Sequence, residues 1–177
     1  MALIKKAAKG KRQAQRILYE THAPKMLSVC RYYIKDVQNA ESVMLNGFFK
    51  AFKNLSSFRD KGSFEGWLRK IMVRESISFL RRQKDIEFLV EENHLPSGNY
   101  DNTSSNIDVA QIQQLIDQLP EGYKLVFVMY AIEGYKHGEI ATMLNISEGT
   151  SKSQLFKARQ MLQKKIKTFN KNNYGAN

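Results

Sequence analysis

The 177 residues contain 28 Lys and Arg against 17 Asp and Glu, a formal charge of +11, with 42% hydrophobic residues, which predicts a folded protein of one ordinary domain or two small ones. No apolar run approaches the roughly 18–20 residues that span a bilayer, and the basic N-terminus is not followed by an apolar core and a small-residue cleavage site, so the expected compartment is the cytoplasm, without membrane insertion. The charge favours a polyanionic partner, nucleic acid first, because a phosphate backbone attracts such a chain and releases counterions on binding it.

From Met1 to Arg16 there are six basic residues and no acid. A helix is predicted over roughly Arg12 to Asp36, with Pro24 as a possible break. Within it Cys30 sits among Leu27, Val29 and Tyr33, which predicts a small core residue. One cysteine cannot form an internal disulfide, and no Cys/His cluster has zinc spacing. Neither metal nor cofactor is implied. Val37, Ala40, Met44, Phe48, Ala51 and Leu55 then recur at three- and four-residue steps, the apolar face of an amphipathic helix of about five turns. Next comes Phe58-Arg-Asp-Lys-Gly-Ser-Phe64, a short glycine-containing loop with an aromatic at each end. Ser63 is placed to cap a helix from Phe64 to about Arg82. On a wheel turning roughly 100° per residue, Trp67, Lys70, Arg74 and Arg81 share one sector. Rings beside cations suit unpaired bases, although for any one of these aromatics a place in the core is the simpler reading.

Asp85 to Tyr123 carries eight acids and no Lys or Arg, and within it Leu95 to Asn106 is polar, rich in turn formers and without apolar period. The expected organisation is a domain over 1–88, a flexible acidic linker over 89–107 and a second domain over 108–177. No strand pattern stands out, so the expected class is all-α. In the second domain Pro120 suits a helix start, Tyr123 to Ile132 reads as a buried helix ending at Gly134, and Glu139 to Leu144 as a short helix with Ile140, Met143 and Leu144 inward. Asn145 can close it in the left-handed conformation. Ser147 caps a last helix with Ser151, Leu155, Ala158, Leu162 and Ile166 as its buried stripe. Two short helices crossing at a tight turn form a helix-turn-helix. Lys152, Phe156, Arg159 and Gln163 lie off the apolar stripe, and after Glu148 every charged residue is basic. Solvation explains the charges on that face; DNA contact explains Phe156 as well.

These segments resemble the extracytoplasmic-function sigma factors of bacterial RNA polymerase, of the sigma-70 family. Asn39-Ala-Glu-Ser-Val43 with Gly47-Phe48 and Ala51-Phe52 resembles the polymerase-clamp-binding helix. Phe58-Arg-Asp-Lys-Gly-Ser-Phe-Glu-Gly-Trp-Leu-Arg-Lys-Ile71 resembles the loop and helix that read and melt the minus-ten element. Glu121-Gly-Tyr123, Ile132-Glu-Gly-Tyr-Lys-His-Gly-Glu-Ile-Ala141 and Ile146-Ser-Glu-Gly-Thr-Ser-Lys-Ser-Gln-Leu-Phe-Lys-Ala-Arg159 are similar to the minus-thirty-five-binding unit. The likeness implies core contacts by Glu41, Met44, Leu45, Phe48 and Phe52, and minus-ten contacts by Arg59, Lys61, Ser63, Trp67, Lys70, Arg74 and Arg81. For the minus-thirty-five duplex it implies Lys152, Ser153, Phe156, Lys157 and Arg159. Its implied partners are promoter DNA, the polymerase core through the clamp of the largest subunit and the flap of the second largest, and room for an anti-sigma factor. Implied too are a nucleoid-associated location and a linker threading the polymerase's RNA exit path.

The chain departs from the family pattern at Asn39, Ser42, Leu45 and Asn46, which removes several polar contacts to the clamp and implies a lower affinity for the core. It departs also at Arg74-Glu75, where the family often has Asn-Thr. At Lys136 a side chain that accepts no hydrogen bond stands where a cap is usual, a loss of about 1 kcal/mol.

Two other readings of the residues stay open. A regulator gripping intact duplex alone explains 119–168 but leaves the Trp67 sector and the Asn39–Phe52 helix unassigned. An enzyme acting on nucleic acid needs a carboxylate cluster or an activated nucleophile, and His22, His94 and His137 are scattered.

Overall fold

The computed structural model describes residues 2–59, 62–83, 88 and 109–174, with 109 and 169–174 by backbone only. The proposed linker and Lys61 lie outside the described residues. The chain splits into two compact units, Met1–Asp85 and Ile86–Asn177. All regular structure among the described residues is helical.

In the first unit, α1 (Ala2–Ala8), which the sequence pattern did not reveal, turns at Gly10 (φ +76°) into α2 (Arg12–Tyr33). Pro24, the possible break, lies inside an uninterrupted α2. Proline removes one N–H and leaves the carbonyl four residues earlier unpaired, but Pro24 is exposed, so water can serve that carbonyl. Buried Leu18 on one side and Met26, Val29 and Cys30 on the other hold both halves to the core. Cys30 is fully buried, and that burial pushes its thiol up to about 11; it is a core residue with an inert thiol.

Asp36 starts α3 (Val37–Lys53), its carboxylate accepting the Asn39 N–H at 2.8 Å. The buried face of α3 is Ala40, Val43, Met44, Gly47, Phe48 and Ala51. Val37, expected on that face, is exposed, because it precedes the turn at which the face meets the core. A side chain at Gly47 would collide with the Met72 sulfur, so glycine there lets α3 and α4 approach closely. A short 3₁₀ turn, Leu55–Ser57, leads toward α4 (Phe64–Gln83), whose cap is Ser63, its hydroxyl accepting the Gly66 N–H at 3.0 Å. Lys50 of α3 donates to both carboxylate oxygens of Glu75 of α4 at 2.7 Å, so one of the two Arg74-Glu75 departures holds the helix pair together.

The second unit contains α5 (Val109–Asp117), α6 (Glu121–Phe127), α7 (His137–Leu144) and α8 (Glu148–Tyr174). The helix expected over Tyr123–Ile132 changes character midway. Val128–Ile132 is a π-helical turn, in which the Glu133 N–H reaches the Val128 carbonyl at 3.0 Å. One extra residue in the turn rotates the residues after it relative to α6, and such turns cluster where a side chain must be re-aimed. Gly134 (φ +76°) then redirects the chain. Before α7, Lys136 makes no side-chain cap, but the Glu139 carboxylate accepts its backbone N–H at 2.9 Å, which keeps half of a capping box. Asn145 adopts the left-handed conformation (φ 56°, ψ 50°), and the Ser147 hydroxyl accepts the Thr150 N–H at 2.9 Å to start α8. Ser151, Leu155, Ala158 and Leu162 are buried as expected, with Gln154 beside them, while Ile166 is half-buried. Met143 is half-buried between Ile140 and Leu144, both in the core.

Candidate nucleic-acid interface

In the first unit the loop and the start of α4 enclose a cavity of about 370 Å³, lined by Ser57, Phe58, Arg59, Gly62, Ser63, Gly66, Trp67 and Lys70. Four residues singled out in the sequence, Arg59, Ser63, Trp67 and Lys70, therefore meet at one concave surface. Two rings, Phe58 and Trp67, form its aromatic wall with centroids 5.6 Å apart, and Phe64, which is not in the lining, packs against both at 5.7 Å. Trp67 is shared between the core and the cavity. It packs with Phe52 and Phe64 against Leu18 and Leu55, yet remains half-buried and lines the cavity. Arg59 and Lys70 are exposed at the rim. The volume suits a planar heteroaromatic ring, and the lining offers stacking faces, a hydroxyl and cations rather than a nucleophile with a base. Arg74 and Arg81 are exposed further along α4, outside the cavity lining.

The α3 residues divide in two. Met44 and Phe48 are 4% and 3% exposed and pack inside the unit, so they cannot touch a partner while it stays folded. Their periodicity belongs to the core, which corrects their reading as direct contacts. Phe52 is half-buried in the cluster beneath the cavity. Outward at successive i, i+4 steps run Glu41, Leu45 and Phe49, with Leu45 52% and Phe49 69% exposed. Phe49 was missed in the sequence. Its signal is the i, i+4 pair with Leu45, an apolar row off the main stripe.

On α8, Lys152 is exposed, while Ser153, Phe156, Lys157 and Arg159 are half-buried, all off the buried stripe. The Ser153 hydroxyl donates to the Thr150 carbonyl at 2.9 Å. The Arg159 guanidinium lies 5.6 Å from the centre of the Tyr130 ring, within cation–π range. Tyr130 in turn stacks on His137, with centroids 4.6 Å apart at 24°. Neither residue was assigned to this face from sequence, since a π turn cannot be read from periodicity.

Comparison with known proteins agrees with this geometry. The chain matches the family model for Sigma-70 region 2 over residues 18–86 and that for Sigma-70 region 4 over residues 110–162. It is 26% identical to the RNA polymerase sigma-H factor of Pseudomonas aeruginosa, covering 93% of this chain and 92% of that protein. Identity is also 26% to the ECF RNA polymerase sigma-E factor of Haemophilus influenzae, over 93% and 94%, respectively. Among solved structures, its fold is similar to the sigma factor RpoE in complex with the anti-sigma factor NepR from Bartonella quintana (TM-score 0.56, 18% identity, 86% of this chain and 96% of that one). It is similar as well to CnrH in complex with the cytosolic domain of CnrY (TM-score 0.53, 19% identity, 94% and 96%). With both region models matched in order along one chain, and relatives similar over nearly its whole length, this protein belongs to the sigma-70 family of RNA polymerase sigma factors, in the extracytoplasmic-function group, which directs promoter-specific transcription initiation.

Proposed function

We propose that the two units divide the promoter, the first opening and reading the minus-ten element and the second reading the minus-thirty-five duplex, and that the chain itself catalyses nothing. The observation that carries the first half is the cavity where Trp67, Phe58, Ser63, Arg59 and Lys70 meet. Extracting a base costs a few kcal/mol of stacking, and a ring-walled cavity with cations at its rim compensates that cost while phosphates approach. Arg74 and Arg81 extend the cationic track along α4. The second half rests on α8, where Lys152, Ser153, Phe156, Lys157 and Arg159 form the face of a helix-turn-helix that enters a major groove. Residues 1–88 and 108–177 serve as the two domains and 89–107 as their tether, working in the cytoplasm at the nucleoid.

The polymerase contact falls on the exposed row Glu41, Leu45 and Phe49. Of the departures Ser42, Leu45 and Asn46, Leu45 then puts an apolar contact where the family has a polar one, while Ser42 and Asn46 put uncharged polar groups beside it. An anti-sigma factor would compete for such a row. That partner class is supported by the relative crystallised with the anti-sigma factor NepR.

The test is run-off transcription on fragments of the source genome by purified core polymerase, with and without the chain. New start sites, each preceded by a shared pair of elements, are expected. No chain-dependent start on any fragment would overturn the proposal.

A further inference from the structure

The face of α8 is held from behind by residues outside it. His137, the first residue of α7, has its Nδ1 2.9 Å from the Ser151 hydroxyl of α8, and Ser151 is fully buried. The imidazole also stacks at 4.6 Å on Tyr130, a residue of the π turn that is 36% exposed. The same phenol ring has its centre 5.6 Å from the guanidinium carbon of Arg159. The chain of contacts thus runs from the buried side of α8, through α7 and the π turn, to the DNA-facing side of α8 two turns later.

An arginine has about 2 kcal/mol of rotamer entropy to lose on being fixed, and a planar ring beneath the guanidinium removes part of that cost before DNA arrives. A π turn is the reason Tyr130 can serve. In an uninterrupted α-helix from Glu121 the residue's direction would differ, whereas the wider turn aims it at His137. We infer that Tyr130 and His137 are positioning residues for upstream-duplex recognition: the Ser151-bound imidazole fixes the phenol ring, and the ring holds Arg159 ready for a backbone phosphate. This rests on α8 being the duplex-reading helix.

The test is a double-mutant cycle on the holoenzyme, using a labelled duplex that carries the upstream element of the strongest start site found by run-off transcription. Tyr130→Leu should weaken binding about threefold, the scale of an exposed cation–π contact. In that background Arg159→Ala should cost markedly less than in the parent, and the salt slope should lose about one unit only once across the pair. Tyr130→Phe, which keeps the ring, should bind like the parent. His137→Phe keeps the stack and loses the bond to Ser151; it should lie between. Strictly additive losses from Tyr130→Leu and Arg159→Ala in variants with parental helix content would overturn the inference, as would equal losses for Tyr130→Leu and Tyr130→Phe. Lys152→Ala and Phe156→Ala report separately on α8. If neither alters duplex affinity, the reading of the helix fails, and the inference fails with it; if they do and the cycle is additive, the inference fails alone.

Discussion

Replacing Trp67 by alanine separates its two roles. The indole makes ring contacts of 5.6 Å to Phe58 and 5.7 Å to Phe64, and each such pair is worth about 0.5–1.5 kcal/mol beyond burial. A fully buried tryptophan costs about 3–5 kcal/mol on truncation, so a half-buried one should cost this unit about 2–3 kcal/mol. That is tolerable against the roughly 5–15 kcal/mol by which domains are stable. Stacking of one base on an aromatic is worth about 1–3 kcal/mol, so its loss lowers the open-promoter population about 5- to 150-fold at equilibrium. Recruitment should be untouched, because the exposed row Glu41, Leu45 and Phe49 lies on α3, away from the cavity lining. Thermal melting fixes the temperature at which the variant is folded, and permanganate reactivity of minus-ten thymines in the holoenzyme complex reads the opening. Trp67→Phe should recover most of it. A folded Trp67→Ala variant that opens the promoter as fully as the parent would refute the reasoning, leaving the ring as packing alone.

Three further outcomes are expected from the same geometry. On α8, Phe156→Ala should change sequence preference with little change in salt slope, whereas Lys152→Ala should weaken binding to all duplexes and reduce the slope by about one; a binding-site selection repeated at two salt concentrations measures both. Leu45→Asp with Phe49→Asp should abolish capture of core polymerase while shifting stability by less than about 1 kcal/mol, since both residues are surface positions. Met44→Ala should instead destabilise the unit by about 2–5 kcal/mol, because it opens a cavity; a core titration beside a urea melt distinguishes them. At His137, burial first and then nearby Lys152 and Arg159 of α8 hold the imidazole below its ordinary value, opposed by Glu148; Tyr130 faces it from the π turn, and Lys136 and Glu139 flank it in sequence. The unfolded chain therefore takes up this proton at a higher pH than the folded unit does. Stability from this residue is full above about pH 6.5 and declines as the pH falls below it. His137→Phe should flatten that part of the pH–stability curve of the second unit.

Local signals carried most of the fold. Ser63, Asn145 and Ser147 each close or open a helix through a hydrogen bond or a backbone conformation that their side chains favour in any context, so their positions could be read one residue at a time. The features that escaped reading depend on neighbours distant in sequence. Pro24 stays inside α2 because flanking core residues hold both halves. The helix α1 is short and basic, and its order comes from Ala7 joining the buried cluster of Ala14, Leu18 and Leu55, with Leu3 and Ile4 packed against it. On α3 one apolar periodicity served two surfaces, and only packing reveals that Met44 and Phe48 turn inward while Leu45 and Phe49 turn outward. At the cavity, residue types and the Phe58–Lys70 order were legible, but the closeness of three rings was not. The Tyr130–His137–Arg159 contacts were hidden for a further reason, since they need a π turn that no apolar repeat encodes.

The division of the promoter between the two units is tested most directly by where its bases lie in the open complex. Photo-crosslinking from halogenated thymine analogues, placed singly along the promoter in a holoenzyme complex and mapped by mass spectrometry, measures this. Adducts from unpaired minus-ten positions should fall within residues 57–70, and those from the upstream duplex within 152–159. Minus-ten adducts confined to the polymerase subunits, or appearing on α8, would contradict it.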